Sequence, residues 1–516
     1  MMRGLIFIFL LLLAPLFPAT AQEDAPTAEN EAPLWWSAVL ADTQLPIGRM
    51  QETLEKACRT ITEKALTPVP ASRLAFESVK SLSTIDQKIG VFKDGTRVLI
   101  SADGRILKSF SAPPDDDCAD WSRLTLAALV TARPFSPKAQ QSNAEDILNI
   151  FLNASLAVTD AYAHYEGTDP AELKRLEKPA SIGIRYRRTG KYLEITEILP
   201  DSPASRSELA VGDRIARIDG KPITDLSRVE ILNLLRGEKD SDVTLNVRKD
   251  GKMKPVNLVR MPVSSSPVSY YYDEERGIMT IRISAFTPKT VKALRLTLNE
   301  VRDKKAKALI IDLRGNTGGL LKEAVLAADL FLPAGLPLIK TAGRHHETVR
   351  NFQTTSKKVR PVYPIAVLVD GKTASSAEFF AGALQDYRHA VLIGTTTYGK
   401  GVIQTVETLP NGGDLYLTWS KFELPSNYSP DRFGLYPNIC TSGRELEEIG
   451  KVPPPLTALQ QWRTGSDKTK DVMRSKCRPE SRANNPLDDE FAAQLVLNPD
   501  LYERSLTYFS LDSFLK

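Results

Sequence analysis

Three short segments carry side chains that could attack and polarise a carbonyl. The first, Asp370-Gly371-Lys372-Thr373-Ala374-Ser375-Ser376-Ala377-Glu378, reads as a strand-to-helix turn, with the helix running to Asp386. A serine at a helix N-terminus meets free backbone donors and the positive end of the helix dipole, which suits a nucleophile whose attack creates an oxyanion. By itself the segment reads better as a plain helix start, with Ser375 as cap and Glu378 closing a capping box. The second, Tyr398-Gly399-Lys400-Gly401, places a lysine between glycines, where it can approach other backbone and be buried. Burial disfavours the ammonium and makes such a lysine a general base, and a Ser–Lys pair can replace Ser-His-Asp. An isolated lysine in a surface hairpin is the alternative. The third, Asp312-Leu313-Arg314-Gly315-Asn316-Thr317-Gly318-Gly319, follows a buried strand. Paired glycines there permit a sharp turn and can leave N–H groups facing a ligand, although many such turns are only connections.

Other chemistries have less support. The histidines number four, His164, His345, His346 and His389. His345-His346 reads as a polar loop and His389 follows a helix end, so neither a His-based triad nor a metal site is indicated. The four cysteines, Cys58, Cys118, Cys440 and Cys477, are even in number and far apart. In an oxidising compartment that reads as disulfides. Of the three pairings, the local ones, Cys58–Cys118 and Cys440–Cys477, are favoured. No two cysteines stand at zinc-ligand spacing, and no cofactor is called for.

The elements that must position these loops alternate. Ile278–Ile283 is strand-like, and a helix begins near Thr287-Pro288 with Val291, Leu294, Leu298 and Val301 on one face. The uninterrupted apolar run Ala308–Ile311 predicts a strand covered on both faces. A helix over Leu320–Phe331, a strand Ile365–Val369, a helix Ser375–Asp386 and a strand Ala390–Ile393 complete an α/β core. Ahead of it, Ser181–Tyr186, Tyr192–Ile198, Arg214–Ile218 and Val243–Val247 read as strands around one helix, Ser227–Leu235: a small, mostly β module. Further back the patterns mix, with helices predicted over Met50–Ala65 and Asp146–Tyr162 and a hairpin over Gly90–Leu107. A last helical patch spans about Phe491 to Leu506.

Taken together, the three segments resemble the carboxy-terminal processing peptidases, or tail-specific proteases. Asp312–Gly319 is similar to that family's D-x-R-x-N-x-G-G. Ser375 stands three residues before Glu378 and twenty-five before Lys400, where the family places its nucleophile. Ala381-Gly382-Ala383-Leu384-Gln385-Asp386, the strand Ile281-Arg282-Ile283 with Phe286, and Leu424-Pro425-Ser426 extend the likeness. Gly434-Leu435-Tyr436-Pro437-Asn438 is similar to the late G-I-x-P-D, with Asn for Asp. The resemblance covers about residues 165 to 440. It implies catalysis by Ser375 as nucleophile, Lys400 as general base and Gln404 orienting the lysine. The oxyanion would meet backbone N–H groups of Ser376 and of Gly318 or Gly319. Ser376 is a second candidate nucleophile, but the spacing to Glu378 and Lys400 favours Ser375. The β module resembles a PDZ domain: Ser181-Ile182-Gly183-Ile184 is similar to its carboxylate-binding loop. Ile182 and Ile184, with Leu234 or Leu235, would line a pocket for the last side chain of a bound tail, and Gly183 would lend backbone.

Length and charge bound the rest. A chain of 516 residues exceeds one core. Its 67 basic against 63 acidic residues, spread throughout, give no nucleic-acid footprint. Arg3, the apolar run Leu5–Phe17 and the Ala19-Thr20-Ala21 site form a secretory-signal pattern, too short for a membrane span. The expected organisation is a signal peptide (1–21), a linker (22–33), an N-terminal structural or dimerising region (34–178), a PDZ domain (179–263), a serine protease core (264–446) and a C-terminal extension (447–516). By resemblance the core is a spiral α/β (crotonase/ClpP-like) fold, with the PDZ domain inserted after a mixed, mainly helical N-terminal region. The expected product is a periplasmic or otherwise exported endopeptidase, cleaved near Ala21. It would act near the C-termini of proteins with exposed apolar tails, with an adaptor or activator and a homo-oligomer left open. A catalytically silent PDZ scaffold is the alternative.

Overall fold

Apolar periodicity gathers the chain around separate cores. The computed structural model describes residues 45–168, 180–199, 202–249, 251–262, 266–355, 363–445, 456–483 and 485–506. The expected signal peptide, the linker and residues 34–44 lie outside them. The first core is built by α1 (Ile47–Lys64), α2 (Ala71–Lys80), the antiparallel strands β1 (Ile89–Asp94), β2 (Arg97–Ala102) and β3 (Arg105–Ser111), α3 (Cys118–Ala132) and α4 (Ala144–Leu156). Met50, Leu54, Ala57 and Ile61 recur at helical spacing on the buried face of α1. Asp117 and Asn143 cap α3 and α4. The expected hairpin over 90–107 is a three-stranded sheet, because Asp103 and Gly104 take positive φ and make a second tight turn. The helix predicted through Tyr162 stops at Leu156. Asp160 Oδ1 instead accepts the N–H groups of Tyr162 (2.7 Å) and Ala163 (2.9 Å), a local side-chain bond that competes with helix. The chain then enters β4 (His164–Glu166).

The small module forms its own core. Strands β5 (Ile184–Thr189), β6 (Tyr192–Ile198), β7 (Arg214–Ile218), β8 (Asp242–Lys249) and β9 (Lys252–Val259) lie in the order β9-β8-β7-β6-β5. Helix α5 (Arg228–Leu235) starts at Ser227 with a capping box to Glu230. Ser181 and Met261 exchange backbone hydrogen bonds, so the module's two ends meet.

The third region is layered. Strands β10 (Val268–Asp273) and β11 (Ile278–Ile283) pair antiparallel, and the chain continues through α6 (Thr290–Asp303), β12 (Ala308–Asp312) and α7 (Leu321–Ala328). Next come β13 (Pro337–Gly343), β14 (Arg350–Gln353), β15 (Ile365–Val369), α8 (Ser376–Asp386) and β16 (Val391–Gly394). After β17 (Val402–Thr408), β18 (Asp414–Glu423) and β19 (Ile439–Cys440) come helices α9 (Leu456–Thr464), α10 (Asp467–Lys476), α11 (Pro486–Leu497) and α12 (Pro499–Leu506). The main sheet runs β10-β11-β12-β15-β16-β19, parallel from β11 onward. Every residue of β12, β15 and β16 is buried, as both faces are covered. Leu309, Ile311 and Val367 face α6, α7 and α8, while Ile310, Ala366 and Leu368 face α11 and α12. A second sheet runs β14-β13-β18-β17, and β4 joins it on β18. Leu409, Leu415 and Leu417 of the β17–β18 hairpin belong to the first core, so the N-terminal region is packed onto the strands that follow Lys400.

The predicted strands Tyr192–Ile198, Arg214–Ile218, Ile278–Ile283 and Ile365–Val369 form with those bounds. The patch predicted near Phe491–Leu506 is two helices, divided at Asn498-Pro499. Cys58–Cys118 and Cys440–Cys477 are the disulfides.

Candidate active site

One buried carboxylate assembles the site. Glu378, in the first turn of α8, is fully buried. Its Oε2 accepts the N–H groups of Ser375 (2.9 Å) and Lys400 (2.8 Å). Its Oε1 accepts Thr397 Oγ1–H (2.5 Å) and Gly399 N–H (2.8 Å). The Ser375 and Lys400 amides therefore lie within two hydrogen-bond lengths of each other, though the residues are far apart in sequence. Burial pushes the Glu378 carboxyl up to about 7, against the pull of these four donors.

The serine sits on a strained turn. Ser375 has φ +57° and ψ −123°, a conformation that side chains with a Cβ rarely adopt and that costs of order 1–3 kcal/mol. Such strain persists where the surroundings over-determine it. Here the neighbour is Gly318, so close that a Cβ on it would lie 2.8 Å from Ala374 O and 3.0 Å from Ser375 Cβ. A Cβ on Gly319 would fall on the Phe286 carbonyl. Both glycines have positive φ. Ser375 is half-buried, whereas Ser376 is buried and its Oγ–H donates to Gly319 O (3.0 Å). The Gly318 N–H donates to Asn316 Oδ1 (2.9 Å), so of the two expected glycine donors Gly318 is already engaged. Ser376, as the first residue of α8, has an N–H without an intrahelical partner.

Lys400 Nζ donates to Gln404 Oε1 (2.6 Å), and Gln404 Nε2 donates to the Tyr162 carbonyl (2.9 Å). Burial pulls the Lys400 ammonium below its ordinary range, opposed by the charges of Asp160 and Glu378. Tyr162 was not singled out by sequence because it contributes a carbonyl; the Asp160 turn after a helix was the one available signal.

The loops are braced from behind. Asp312 accepts from Arg282 (3.0 Å) and from Arg314 Nε (2.9 Å). Arg314 also donates to Asn485 O and to Asp489. Asp370 Oδ1 accepts the N–H groups of Gly315, Lys372 and Thr373, each at 3.0 Å, and its Oδ2 accepts Arg482 N–H. Gly371 N–H donates to Glu480 O, and Thr396 Oγ1–H donates to Cys477 O. All three loops thus touch the C-terminal segment that begins at the Cys440–Cys477 disulfide.

His164 Nδ1 faces the Tyr162 carbonyl, His345 Nε2 the Glu63 carbonyl, and His346 the carboxylate of Glu347. His389 lies past the far end of the 11-residue α8, about 16 Å along its axis from the Ser375 end. In the small module, Ile182 and Leu235 are buried in the core, at 1% and 4% exposure. Gly183, at φ +79°, interrupts the strand alternation and turns Ile182 inward. Ile184 and Leu234 are only partly buried, and β5 is an edge strand.

A serine on a strained turn at a helix start, a half-buried lysine whose amide shares its carboxylate and a PDZ-like module ahead are features that a serine-type peptidase would need. The chain matches Peptidase family S41 over residues 277–441 and a PDZ domain over 180–259. It is 32% identical over 297 residues to the "Carboxy-terminal-processing protease" of Bartonella bacilliformis, covering 56% of this chain and 68% of that one. It is 32% identical over 317 residues to "Carboxyl-terminal-processing peptidase 1, chloroplastic" of Arabidopsis thaliana, covering 59% and 64%. Among solved structures, "Photosystem II D1 C-terminal processing protease" aligns at 21% identity and a TM-score of 0.40, over 81% of this chain and 98% of that one. The chain belongs to the carboxy-terminal-processing proteases of peptidase family S41.

Proposed function

We propose that the protein is an exported endopeptidase that cuts proteins near their C-termini through a Ser375–Lys400 dyad. The observation that carries this reading is the shared Glu378 oxygen, which ties the Ser375 and Lys400 amides together. Neutral Lys400 takes the Oγ proton of Ser375 while Oγ bonds to the scissile carbonyl carbon, and the carbonyl electron pair moves onto oxygen. The ammonium then protonates the leaving amine, and a water molecule hydrolyses the acyl-enzyme with Lys400 again as base. The Ser376 and Gly319 N–H groups receive the oxyanion, since the Gly318 N–H is bound to Asn316. Ser376 Oγ, buried and bonded to Gly319 O, serves the scaffold.

Tail capture follows from the edge strand β5. An extended C-terminal peptide adds to β5, with its carboxylate at the Gly183 turn and its last side chain against Ile184 and Leu234. Two disulfides and the Arg3-to-Ala21 pattern support an exported, oxidising address. The parallel sheet flanked by helices on both faces supports assigning the core to the spiral α/β class. The strained Ser375 backbone favours an enzyme over a silent scaffold.

The test is cleavage of an unstructured protein with an apolar C-terminal tail, against the same protein with a charged tail, each mapped by mass spectrometry. Fragments near the C-terminus that form several-fold faster from the apolar version support the reading. Binding of the tail with no product from either would return the scaffold.

A further inference from the structure

Lys400 can act as a base only if its lone pair points at Ser375, and the glutamine alone does not ensure that. A neutral amine has two N–H donors and one lone pair. A side-chain amide offers an acceptor on one end and donors on the other, and both orientations fill the same space. With Gln404 Oε1 toward Nζ, the lysine spends an N–H and keeps its lone pair. With Nε2 toward Nζ, the amide would take the lone pair and silence the base.

The choice between the two is made by a group outside the matched protease segment. Gln404 Nε2 faces the Tyr162 carbonyl at 2.9 Å, and a carbonyl can only accept. The Tyr162 peptide is itself pinned. Its N–H and that of Ala163 donate to Asp160 Oδ1, which also accepts Thr418 Oγ1–H of β18. The Tyr162 hydroxyl donates to Gly399 O (2.5 Å), directly before the lysine, and reaches Asp431 Oδ1 (3.2 Å). We infer that Asp160 and Tyr162 are positioning residues for the general base: they hold the carbonyl that fixes Gln404 in the one amide orientation that leaves the Lys400 lone pair free. This deepens the Ser–Lys reading and rests on it.

Asp160 has a second consequence. Its carboxylate stabilises the ammonium that forms when Lys400 takes the serine proton, the part a buried carboxylate plays beside a catalytic imidazole. The same charge opposes deprotonation in the resting enzyme. The titratable groups around the base are Asp160 and Tyr162 from the N-terminal segment, Glu378 from α8, and Asp431 beyond β18, which Lys421 pairs at 3.1 Å. His164 meets the same Tyr162 carbonyl from the exposed side.

The experiment measures kcat and KM against pH for the mature parent, Asp160→Asn and Tyr162→Phe on one apolar-tailed peptide, with Lys400→Ala alongside. Tyr162→Phe should lower kcat about ten- to a hundredfold with KM unchanged, the scale of a misplaced catalytic group. Asp160→Asn should lower the high-pH plateau yet move the acid limb of kcat to lower pH, a combination that mere loss of folded protein does not produce. The inference is overturned if both variants keep the parental kcat and limb, or if activity falls only in proportion to unfolded protein. If Asp160→Asn does not fold, Tyr162→Phe alone decides. Full cutting by Lys400→Ala would remove the dyad and this inference with it; an inert Lys400→Ala beside two unaltered variants removes only the inference.

Discussion

Ser375 and Lys400 are braced mainly from opposite ends of the chain, and the two braces differ in kind. The segment from Cys477 to Asp489 bonds the Ser375 loop through Glu480 O and Arg482 N–H and the neighbouring glycine loop through Asp489, reaches Thr396 ahead of Lys400 through Cys477 O, and is closed onto β19 by a disulfide. Behind Lys400, one carbonyl and one carboxylate from residues 160–162 meet a hairpin whose leucines sit in the N-terminal core. The first brace is redundant, many bonds around a strained turn. The second converges on one carbonyl, that of Tyr162, which the Asp160 carboxylate and the Tyr162 hydroxyl hold in place. Strain needs over-determination, whereas a lysine acting as the proposed base would need direction only. Both braces lie outside residues 277–441, so the catalytic segment is completed by its flanks.

The comparison breaks most severely at Glu378, which belongs to both sides. Glu378→Gln puts an NH2 group against two donors, whichever way the amide turns. Activity should fall about 10²–10³-fold and the thermal midpoint with it, read by peptide cleavage and calorimetry. Gln404→Glu strikes the base alone. A carboxylate oxygen would face the Tyr162 carbonyl and the other would hold the Lys400 ammonium. Cleavage at neutral pH should fall roughly ten- to a hundredfold, with the acid limb of the pH profile displaced to higher pH. In the parent, burial lowers the Lys400 ionisation, so activity should rise with pH as the ammonium deprotonates and fall as pH drops through that ionisation. The smallest effect on turnover should come from the nucleophile brace. Replacing Cys440 and Cys477 together by serine should cost about 2–4 kcal/mol of stability by denaturant titration, while the folded fraction keeps most of its kcat. A larger kcat loss there than in Gln404→Glu would reverse the ranking of the braces.

Much of this architecture was legible. Runs such as Ile365–Val369 announce buried parallel strands, and the loops that carry Ser375, Lys400 and the paired glycines stand at strand ends where side chains converge. Side-chain identity could not reveal the rest, because much of it is backbone. Cys477 and Glu480 act through carbonyls, which any residue supplies, and so does Tyr162 toward Gln404, its hydroxyl aside. The choice between Gly318 and Gly319 depended on where the Asn316 amide turned. Asn438, an apparent departure from the family pattern, has a local reason. Its Oδ1 accepts from Gln385 and Leu392, while its Nδ2 donates to Ser505 O of α12, a bond an aspartate could not make.

The most direct test of the dyad is covalent labelling by a serine-reactive phosphonate, followed against pH in the parent and in Lys400→Ala, with the adduct located by mass spectrometry. The account predicts an adduct on Ser375, formed faster as pH rises, and almost none without the lysine. An adduct on Ser376, or equal labelling in Lys400→Ala, would contradict it.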